Sequence, residues 1–261
     1  MELLNKVERL FLCSDIERHD DFVSRFCHSE HSRGIPAGLA LTRNTGCLDY
    51  ARHDHMQVLA PAKINLSLRV LGRRSDGFHE IETFMAPISL CDEIEIYRQS
   101  GKKKIVFRCD EPSLPENDDN VVVRAANIFF EETKITGGVS IMLKKTIPHG
   151  AGLGGGSSDA ASTLLGLNEL FGTNLPREAL AKMAEMIGSD VPFFVFECAA
   201  LCKGRGELIS SSELREQLSL LLLKPEFGVP TAWAYSRWRD SLEIRGVSYS
   251  GQQFARHCFV N

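Results

Sequence analysis

Residues 148–161 read PHGAGLGGGSSDAA, and this stretch decides the fold. Five glycines stand between a predicted strand that ends before Pro148 and a predicted helix that ends at Gly172. Glycine allows positive φ angles and a close approach of the backbone to a ligand. The free N–H groups and the positive dipole end of the following helix then favour an anion. A simple turn needs only one or two glycines, so the loop predicts a phosphate site.

Three kinds of phosphate loop compete for this stretch. Gly150, Gly152 and Gly155 satisfy the G-x-G-x-x-G spacing of dinucleotide-binding folds, but the parallel strand that should follow, with an acid at its tip, is missing. A Walker loop requires Gly-Lys-Ser/Thr at its end, and no lysine follows these glycines. The stretch therefore predicts a third type of nucleotide loop.

Hydrophobic periodicity elsewhere predicts a mixture of strands and helices. Strands are predicted over residues 64–70, 92–97, 104–109, 139–143, 191–197 and 219–223. Helices are predicted over residues 121–132, from the glycine loop to Gly172, from Pro176 to Gly188, and over residues 232–242. Because the elements do not alternate as regular βαβ units, the pattern favours an α+β fold over a doubly wound sheet.

Composition narrows the class of protein. The chain has 261 residues, of which 43% are hydrophobic and 25% charged, as is typical of a globular protein. Its 30 Lys and Arg against 34 Asp and Glu give no basic excess, which argues against a nucleic-acid partner. No apolar run approaches the roughly 20 residues that span a bilayer, so no membrane partner is expected. Eight scattered cysteines predict reduced thiols in a cytoplasmic protein.

Several segments, taken together, resemble the GHMP kinases, the superfamily of galacto-, homoserine, mevalonate and phosphomevalonate kinases. In chain order they are PAKINL at 61–66, RSDGFHEIET at 74–83, residues 115–126, the glycine loop, and GSDVPF at 188–193. The resemblance runs unbroken over roughly residues 57–242 and is most specific to members that phosphorylate a cytidine-diphosphate-linked methylerythritol. It implies the GHMP kinase fold, with an N-terminal ribosomal-protein-like α/β domain and a C-terminal α+β domain.

The resemblance also implies a nucleotide site. ATP with Mg²⁺ is the expected cofactor, and Ser157 is a candidate Mg²⁺ ligand. Asn120 and Val121 fall at the position that holds the adenine side of ATP. The predicted contacts of the loop itself are Pro148, Gly150, Gly152, Leu153, Gly154, Gly155, Gly156, Ser157 and Ser158.

Lys63 and Asp190 fall on the family's catalytic lysine and aspartate. Asn65 falls on an asparagine that contacts the substrate, and as a strand neighbour two residues from Lys63 it should share its face. By spacing alone, the two would be an ordinary solvated polar pair. Asp190 alone would likewise be an ordinary loop aspartate.

Phe78 and His79 fall on the segment that binds the cytosine of the substrate. Most members are expected to carry tyrosine where this chain has Phe78, so stacking is retained and a hydroxyl is lost. Tyr235 is predicted to cover the other face of the cytosine. Core packing of its own helix explains Tyr235 equally well.

The expected reaction is ATP-dependent phosphorylation of the C2 hydroxyl of the cytidine substrate. Another GHMP kinase of the homoserine or mevalonate type, or a nucleotide-binding remnant without turnover, is the alternative. We predict a poorly ordered extension at 1–55, the ATP-binding catalytic domain at 56–210, and an incomplete second domain at 211–261 that lacks the family's third glycine motif. Weak or absent activity and a monomer or homodimer are expected.

Overall fold

The computed structural model describes residues 54–101, 104–214, 218–225, 227–229, 231–236 and 259–260. A six-stranded sheet runs in the order β3-β4-β2-β5-β6, with β1 paired along β2. The β3–β4 pair is parallel, and the other pairs are antiparallel. The strands are β1 (His55–Arg73), β2 (His79–Gln99), β3 (Ile105–Cys109), β4 (Gly138–Lys144), β5 (Ala200–Gly204) and β6 (Leu208–Ser211).

Helices pack against this sheet and bury the main core. They are α1 (Val121–Thr133), α2 (Gly155–Phe171), α3 (Arg177–Glu185) and α4 (Val191–Phe196). A further described helix is α5 (Thr231–Ser236). The central helix, α2, contacts β1, β2, α1 and α4. A short pair of strands, β7 (Glu213–Leu214) and β8 (Phe259–Val260), forms a second sheet. Among the described helices, none is long and apolar enough to cross a membrane.

Capping residues set the start of α1 and the end of α2. Asn120 begins α1, because its Oδ1 accepts a hydrogen bond from the backbone N–H of Val122 at 2.9 Å. Gly172 ends α2 in the left-handed conformation, with φ of 62°. Both boundaries agree with the sequence predictions, as do the strands over residues 64–70, 92–97, 104–109 and 139–143. The α+β class is confirmed.

The apolar run at 191–197 forms a helix, so the predicted strand there is wrong. All residues of α4 from Val191 to Val195 are buried, and a run that is buried all round has no period that separates a helix from a strand. Pro192 lies in the first turn, where a helix tolerates proline because the N–H it lacks would have no partner. Glu197, at a φ of 53°, ends the helix.

The predicted strand at 219–223 is also wrong. These residues are not paired with any strand that the structure describes, and Leu221 and Leu223 are 81% and 71% exposed. An apolar sequence becomes a buried strand only where a neighbouring strand offers its hydrogen-bonding groups. The helix predicted at 232–242 is described as Thr231–Ser236, and residues 237–242 lie outside the described part.

The predicted domain boundaries stay predictions. Of the extension at 1–55 only residues 54 and 55 are described, and 55 already belongs to β1. Much of 211–261 also lies outside the described residues.

Candidate active site

Two cavities meet at the glycine loop. The smaller, which we call the loop cavity, has a volume of about 420 Å³. It is lined by nearly every residue predicted to bind the nucleotide, namely Asn120, Val121, Pro148, Gly150, Gly152, Leu153, Gly154, Gly155, Gly156 and Ser157. Of the predicted nucleotide residues, only Ser158 is not among its lining residues. Residues far apart in the sequence are thus brought together as the patterns predict.

The larger, the main cavity, has a volume of about 890 Å³. Its lining includes all six residues predicted for the acceptor side, which are Lys63, Asn65, Phe78, His79, Asp190 and Tyr235. Gly152 and Ser157 line both cavities. A ligand in one cavity would therefore lie next to a ligand in the other.

The glycine loop needs glycine for two separate reasons. Gly150, Gly152 and Gly154 have positive φ angles of 68°, 73° and 72°, which other residues rarely adopt. At Gly154 there is also no room for a side chain, because a Cβ would lie 2.8 Å from Cζ of Phe194. Gly155 and Gly156 already belong to α2 and do not have positive φ. The loop thus places bare backbone at the N-terminus of a 17-residue helix.

Lys63 connects β1 to the loop and to the main cavity. Its backbone N–H donates to the carbonyl oxygen of Leu153 at 2.9 Å, and its Nζ donates to Oδ1 of Asn65 at 2.5 Å. Asn65 is held in turn by Thr83, whose Oγ1 accepts from Nδ2 at 2.7 Å. Burial lowers the pKa of Lys63, and the negative charge of Asp190 opposes that shift. The predicted shared face of Lys63 and Asn65 is confirmed.

Asp190 precedes α4 and lines the main cavity. It occupies the N-cap position, yet its side chain makes no capping hydrogen bond, which leaves the carboxylate available to a ligand. The backbone places it there through the hydrogen bond from the N–H of Val191 to the carbonyl oxygen of Gly188, at 3.2 Å. Its charge also contributes to the raised pKa of Tyr235, of which burial is the larger cause.

Aromatic rings line the part of the main cavity formed by the β1–β2 turn. Asp76 organises this turn by accepting the backbone N–H of Phe78 at 3.1 Å. The ring of Phe78 is half exposed. Tyr235 stacks on His79, with ring centroids 5.1 Å apart and planes inclined by 28°. The rings predicted to hold the cytosine are thus present, with Tyr235 packed on His79.

Two cationic residues of the main cavity were not predicted from the sequence. Arg73 and Arg205 line it together with Lys63, whereas Asp190 is the one carboxylate among its described lining residues. The guanidinium carbon of Arg205 lies 4.7 Å from the centroid of the Phe78 ring. With Lys63 protonated, the cavity has an excess of positive charge, which suits an anionic ligand. The Gly-Arg-Gly-Glu turn at 204–207 was the sequence feature that could have indicated Arg205.

A buried ion cluster under the glycine loop was also missed. Nζ of Lys145 contacts Asp92 and lies 2.7 Å from Oδ2 of Asp159. Asp92 and Asp159 are buried, and the side chain of Lys145 is 9% exposed. Asp92 also accepts the backbone N–H of Ile147 at 2.8 Å. Burial raises the pKa of Asp159 to about 7, although Lys145 opposes the shift. The cluster ties the first turn of α2 to the sheet.

Two residues that are predicted to contact the nucleotide, Asn120 and Ser158, are part of the internal packing of the fold. The side chain of Asn120 caps α1 through Oδ1 and donates from Nδ2 to the carbonyl oxygen of Pro115 at 2.8 Å, so both ends of its amide hold the local structure. Ser158 is completely buried, and its Oγ has no partner among the described residues. Its predicted contact with phosphate stays a prediction.

Comparison with known proteins places these features in a class. A family described as the GHMP kinases N terminal domain matches residues 120–198. That segment runs from the N-cap of α1 through the glycine loop and Asp190, so it includes most of the residues that line the loop cavity and the loop before α4. Fold and site therefore have the features of a GHMP kinase.

Individual relatives narrow the class further. A protein of Acetivibrio thermocellus named 4-diphosphocytidyl-2-C-methyl-D-erythritol kinase is 42% identical over 183 residues, which are 70% of this chain and 64% of the relative. A relative of the same name from Citrifermentans bemidjiense is 43% identical over 199 residues, covering 75% of this chain and 71% of the relative. The chain belongs to the 4-diphosphocytidyl-2-C-methyl-D-erythritol kinase family.

A solved structure agrees with this assignment. The crystal structure of 4-(cytidine 5'-diphospho)-2C-methyl-D-erythritol kinase is 38% identical, with a TM-score of 0.58 over 71% of this chain and 65% of that chain. The present chain thus spans slightly less than two thirds of the length of that protein and of the Acetivibrio relative.

Proposed function

We propose that the chain is a kinase that transfers the γ-phosphoryl group of ATP to the C2 hydroxyl of 4-diphosphocytidyl-2-C-methyl-D-erythritol. ATP would occupy the loop cavity, and the cytidine substrate would occupy the main cavity. The reaction belongs to non-mevalonate isoprenoid biosynthesis. A cytoplasmic location, a monomeric or homodimeric state and a small-molecule substrate as the only partner are part of the same proposal.

The observation that carries this proposal is the shared wall of the two cavities. Gly152 and Ser157 line both of them, at the N-terminus of α2. A phosphate chain bound by the loop would point its terminal group towards the main cavity. Phosphoryl transfer requires the attacking oxygen and the phosphorus in line and in contact, and adjoining cavities allow that arrangement.

The charge of the main cavity favours a nucleoside-diphosphate-linked acceptor. Lys63, Arg73 and Arg205 outnumber the single carboxylate of Asp190 among the described lining residues. A diphosphate diester carries a negative charge on each of its phosphates. Homoserine is a zwitterion, and mevalonate carries one carboxylate. The excess of positive charge therefore matches the cytidine-diphosphate substrate better than the other acceptors of the superfamily.

Asp190 and Lys63 supply the groups that the chemistry needs. The carboxylate of Asp190 would accept the proton of the C2 hydroxyl as the new O–P bond forms. Lys63, held by Asn65 and by the backbone of Leu153, would place its positive charge beside the negative charge that develops on the transferred group. The protein forms no covalent intermediate in such a transfer, so its main contribution is to position the reactants through the loop and β1.

The residues present fit a magnesium ion that is held mainly by phosphate. No cluster of three or more His, Cys, Asp or Glu side chains that could hold a metal occurs in the described part of the chain. Mg²⁺ usually keeps several waters and binds through few protein groups plus the substrate phosphates. Ser157, which lines both cavities, would be its protein ligand. When bound, the ion neutralises charge on the phosphate oxygens.

An assay of the purified chain with several acceptors tests the proposal. With ATP and Mg²⁺, we expect ADP formation to depend on 4-diphosphocytidyl-2-C-methyl-D-erythritol, and phosphorus NMR to show a new phosphomonoester. Homoserine and mevalonate, tested at the same concentration, should give only background ADP. Turnover of either of these in place of the cytidine substrate would contradict the proposed acceptor. Absence of ADP formation with all three would contradict the proposed activity.

Phe78→Ala is expected to raise KM for the cytidine substrate about tenfold while KM for ATP stays within about twofold. The ring is half exposed in the main cavity, and stacking on a base contributes about 1–3 kcal/mol. Steady-state kinetics with each substrate varied in turn would measure both constants. Phe227→Ala, at an exposed phenylalanine that does not line the main cavity, is the matched control. Equal changes in both KM values would assign Phe78 a structural role instead.

A further inference from the structure

Arg205 stands on a turn that is built to hold one conformation. The turn joins β5 to β6, and its two glycines, Gly204 and Gly206, have φ angles of 74° and 120°. The backbone N–H of Arg205 donates to Oε2 of Glu207 at 2.5 Å, and the N–H of Gly206 donates to the carbonyl oxygen of Lys203 at 3.1 Å. The direction in which Arg205 leaves the backbone is therefore fixed by the fold.

This turn lies between the aromatic part of the main cavity and Asp190. On one side, the guanidinium of Arg205 lies on the ring of Phe78, 4.7 Å from its centroid. On the other side, a Cβ at Gly206 would lie 3.4 Å from Oδ1 of Asp190. A ligand with its base at Phe78 and its reacting hydroxyl at Asp190 would thus pass Arg205 with its middle portion.

The guanidinium of Arg205 has N–H groups that can donate hydrogen bonds to such a ligand. The guanidinium nitrogens of Arg205 form none of the salt bridges found among the described residues. Contact with an aromatic face does not use the N–H groups, and a guanidinium has five of them in a planar fork that matches phosphate oxygens. Arg73, the other arginine of the main cavity, is exposed at the end of β1.

We propose that Arg205 binds the diphosphate of a nucleoside-diphosphate acceptor and so determines the acceptor specificity of the main cavity. The inference rests on the proposed function, because it takes the base to lie at Phe78 and the hydroxyl at Asp190. The same guanidinium supports the Phe78 ring, so base and diphosphate are recognised through one pair of side chains.

Binding of CDP and of cytidine separates the two contributions. The ratio of the two dissociation constants measures what the diphosphate adds to affinity. For Arg205→Gln we expect this ratio to fall about ten- to a hundredfold, because a hydrogen bond to a charged group is lost. Affinity for cytidine itself should fall by less than about threefold. Arg205→Lys, which keeps the charge, should restore part of the ratio. Isothermal titration calorimetry at fixed ionic strength would provide all the constants.

Arg69→Gln is the matched control, because Arg69 is an exposed arginine on β1 that pairs with Glu82 at 3.2 Å and does not line the main cavity. Its ratio should equal that of the unmodified chain. An unchanged ratio in Arg205→Gln would overturn the inference, and so would an equal loss of affinity for cytidine and CDP, which would reduce Arg205 to a support for Phe78. Failure of the unmodified chain to bind either compound would instead contradict the proposed function on which the inference rests.

Discussion

Asp190→Asn is expected to lower kcat for the cytidine substrate about 10²–10⁴-fold while ATP still binds. The substitution keeps the size of the side chain and removes its ability to accept the hydroxyl proton, and the stated range is typical of a positioned general base. Because the Asp190 side chain makes no capping hydrogen bond to α4, the fold should lose little stability. Single-turnover kinetics would measure the chemical step, and calorimetry would measure ATP affinity.

Asp118→Asn is the matched control for this variant. Asp118 is an exposed aspartate whose Oδ1 accepts from Nδ2 of Asn127 at 3.2 Å, and it lines neither of the two cavities. Its kcat should stay within about twofold of the unmodified chain, as is usual for surface substitutions. A near-normal kcat in Asp190→Asn would show that another group removes the proton. A loss of ATP binding in that variant would show that Asp190 acts on the nucleotide.

Gly154→Val is expected to abolish measurable ATP binding. A branched side chain at a φ of 72° is strained, and its Cβ would press on Phe194 and on Cγ of Lys63, which lies 3.1 Å from the Cβ position. The first turn of α2 would have to move, and the N–H groups of the loop would lose their common direction. Calorimetric titration with ATP and Mg²⁺ would measure the loss.

A change at the other end of the same helix separates this effect from general destabilisation. Gly172 also has a positive φ, of 62°, but no atom lies within 4 Å of where its Cβ would be. Gly172→Val should therefore lower the melting temperature through backbone strain and leave ATP affinity unchanged. If Gly154→Val bound ATP as tightly as the unmodified chain does, the loop would not be the phosphate site.

Local chemistry made part of this molecule predictable. The alternation of Lys63 with Asn65 placed both side chains on one face of β1, and their hydrogen bond shows that they share it. Gly172 marked the end of α2, because few other residues end a helix in the left-handed conformation. The positive φ angles of Gly150, Gly152 and Gly154, just before a helix, were predictable because glycine adopts them readily. In each case, residues close in sequence carried enough information.

Other features depend on partners that sequence periodicity does not reveal. The run at 191–195 is buried on all sides by the rest of the fold, so its sequence has no polar face from which to tell a helix from a strand. The position of the Arg205 guanidinium is recognisable only from its contact with the ring of Phe78, which lies on a different turn of the sheet. Lys145 lies beside Asp92 and Asp159 only after β2, β4 and α2 have packed. Contacts between residues that are far apart in the sequence form only in the tertiary structure, so sequence periodicity does not predict them.

The single wall between the two cavities also limits how such a protein can change during evolution. Gly152 and Ser157 face both sides, so a substitution there alters the phosphoryl donor and the acceptor together. The β1–β2 and β5–β6 turns, which carry Phe78 and Arg205, line the main cavity alone. New acceptors can therefore be selected by changing these turns, while the glycine loop continues to serve the same nucleotide. Efforts to redirect the chain to another alcohol should diversify the two turns and leave residues 150–157 intact.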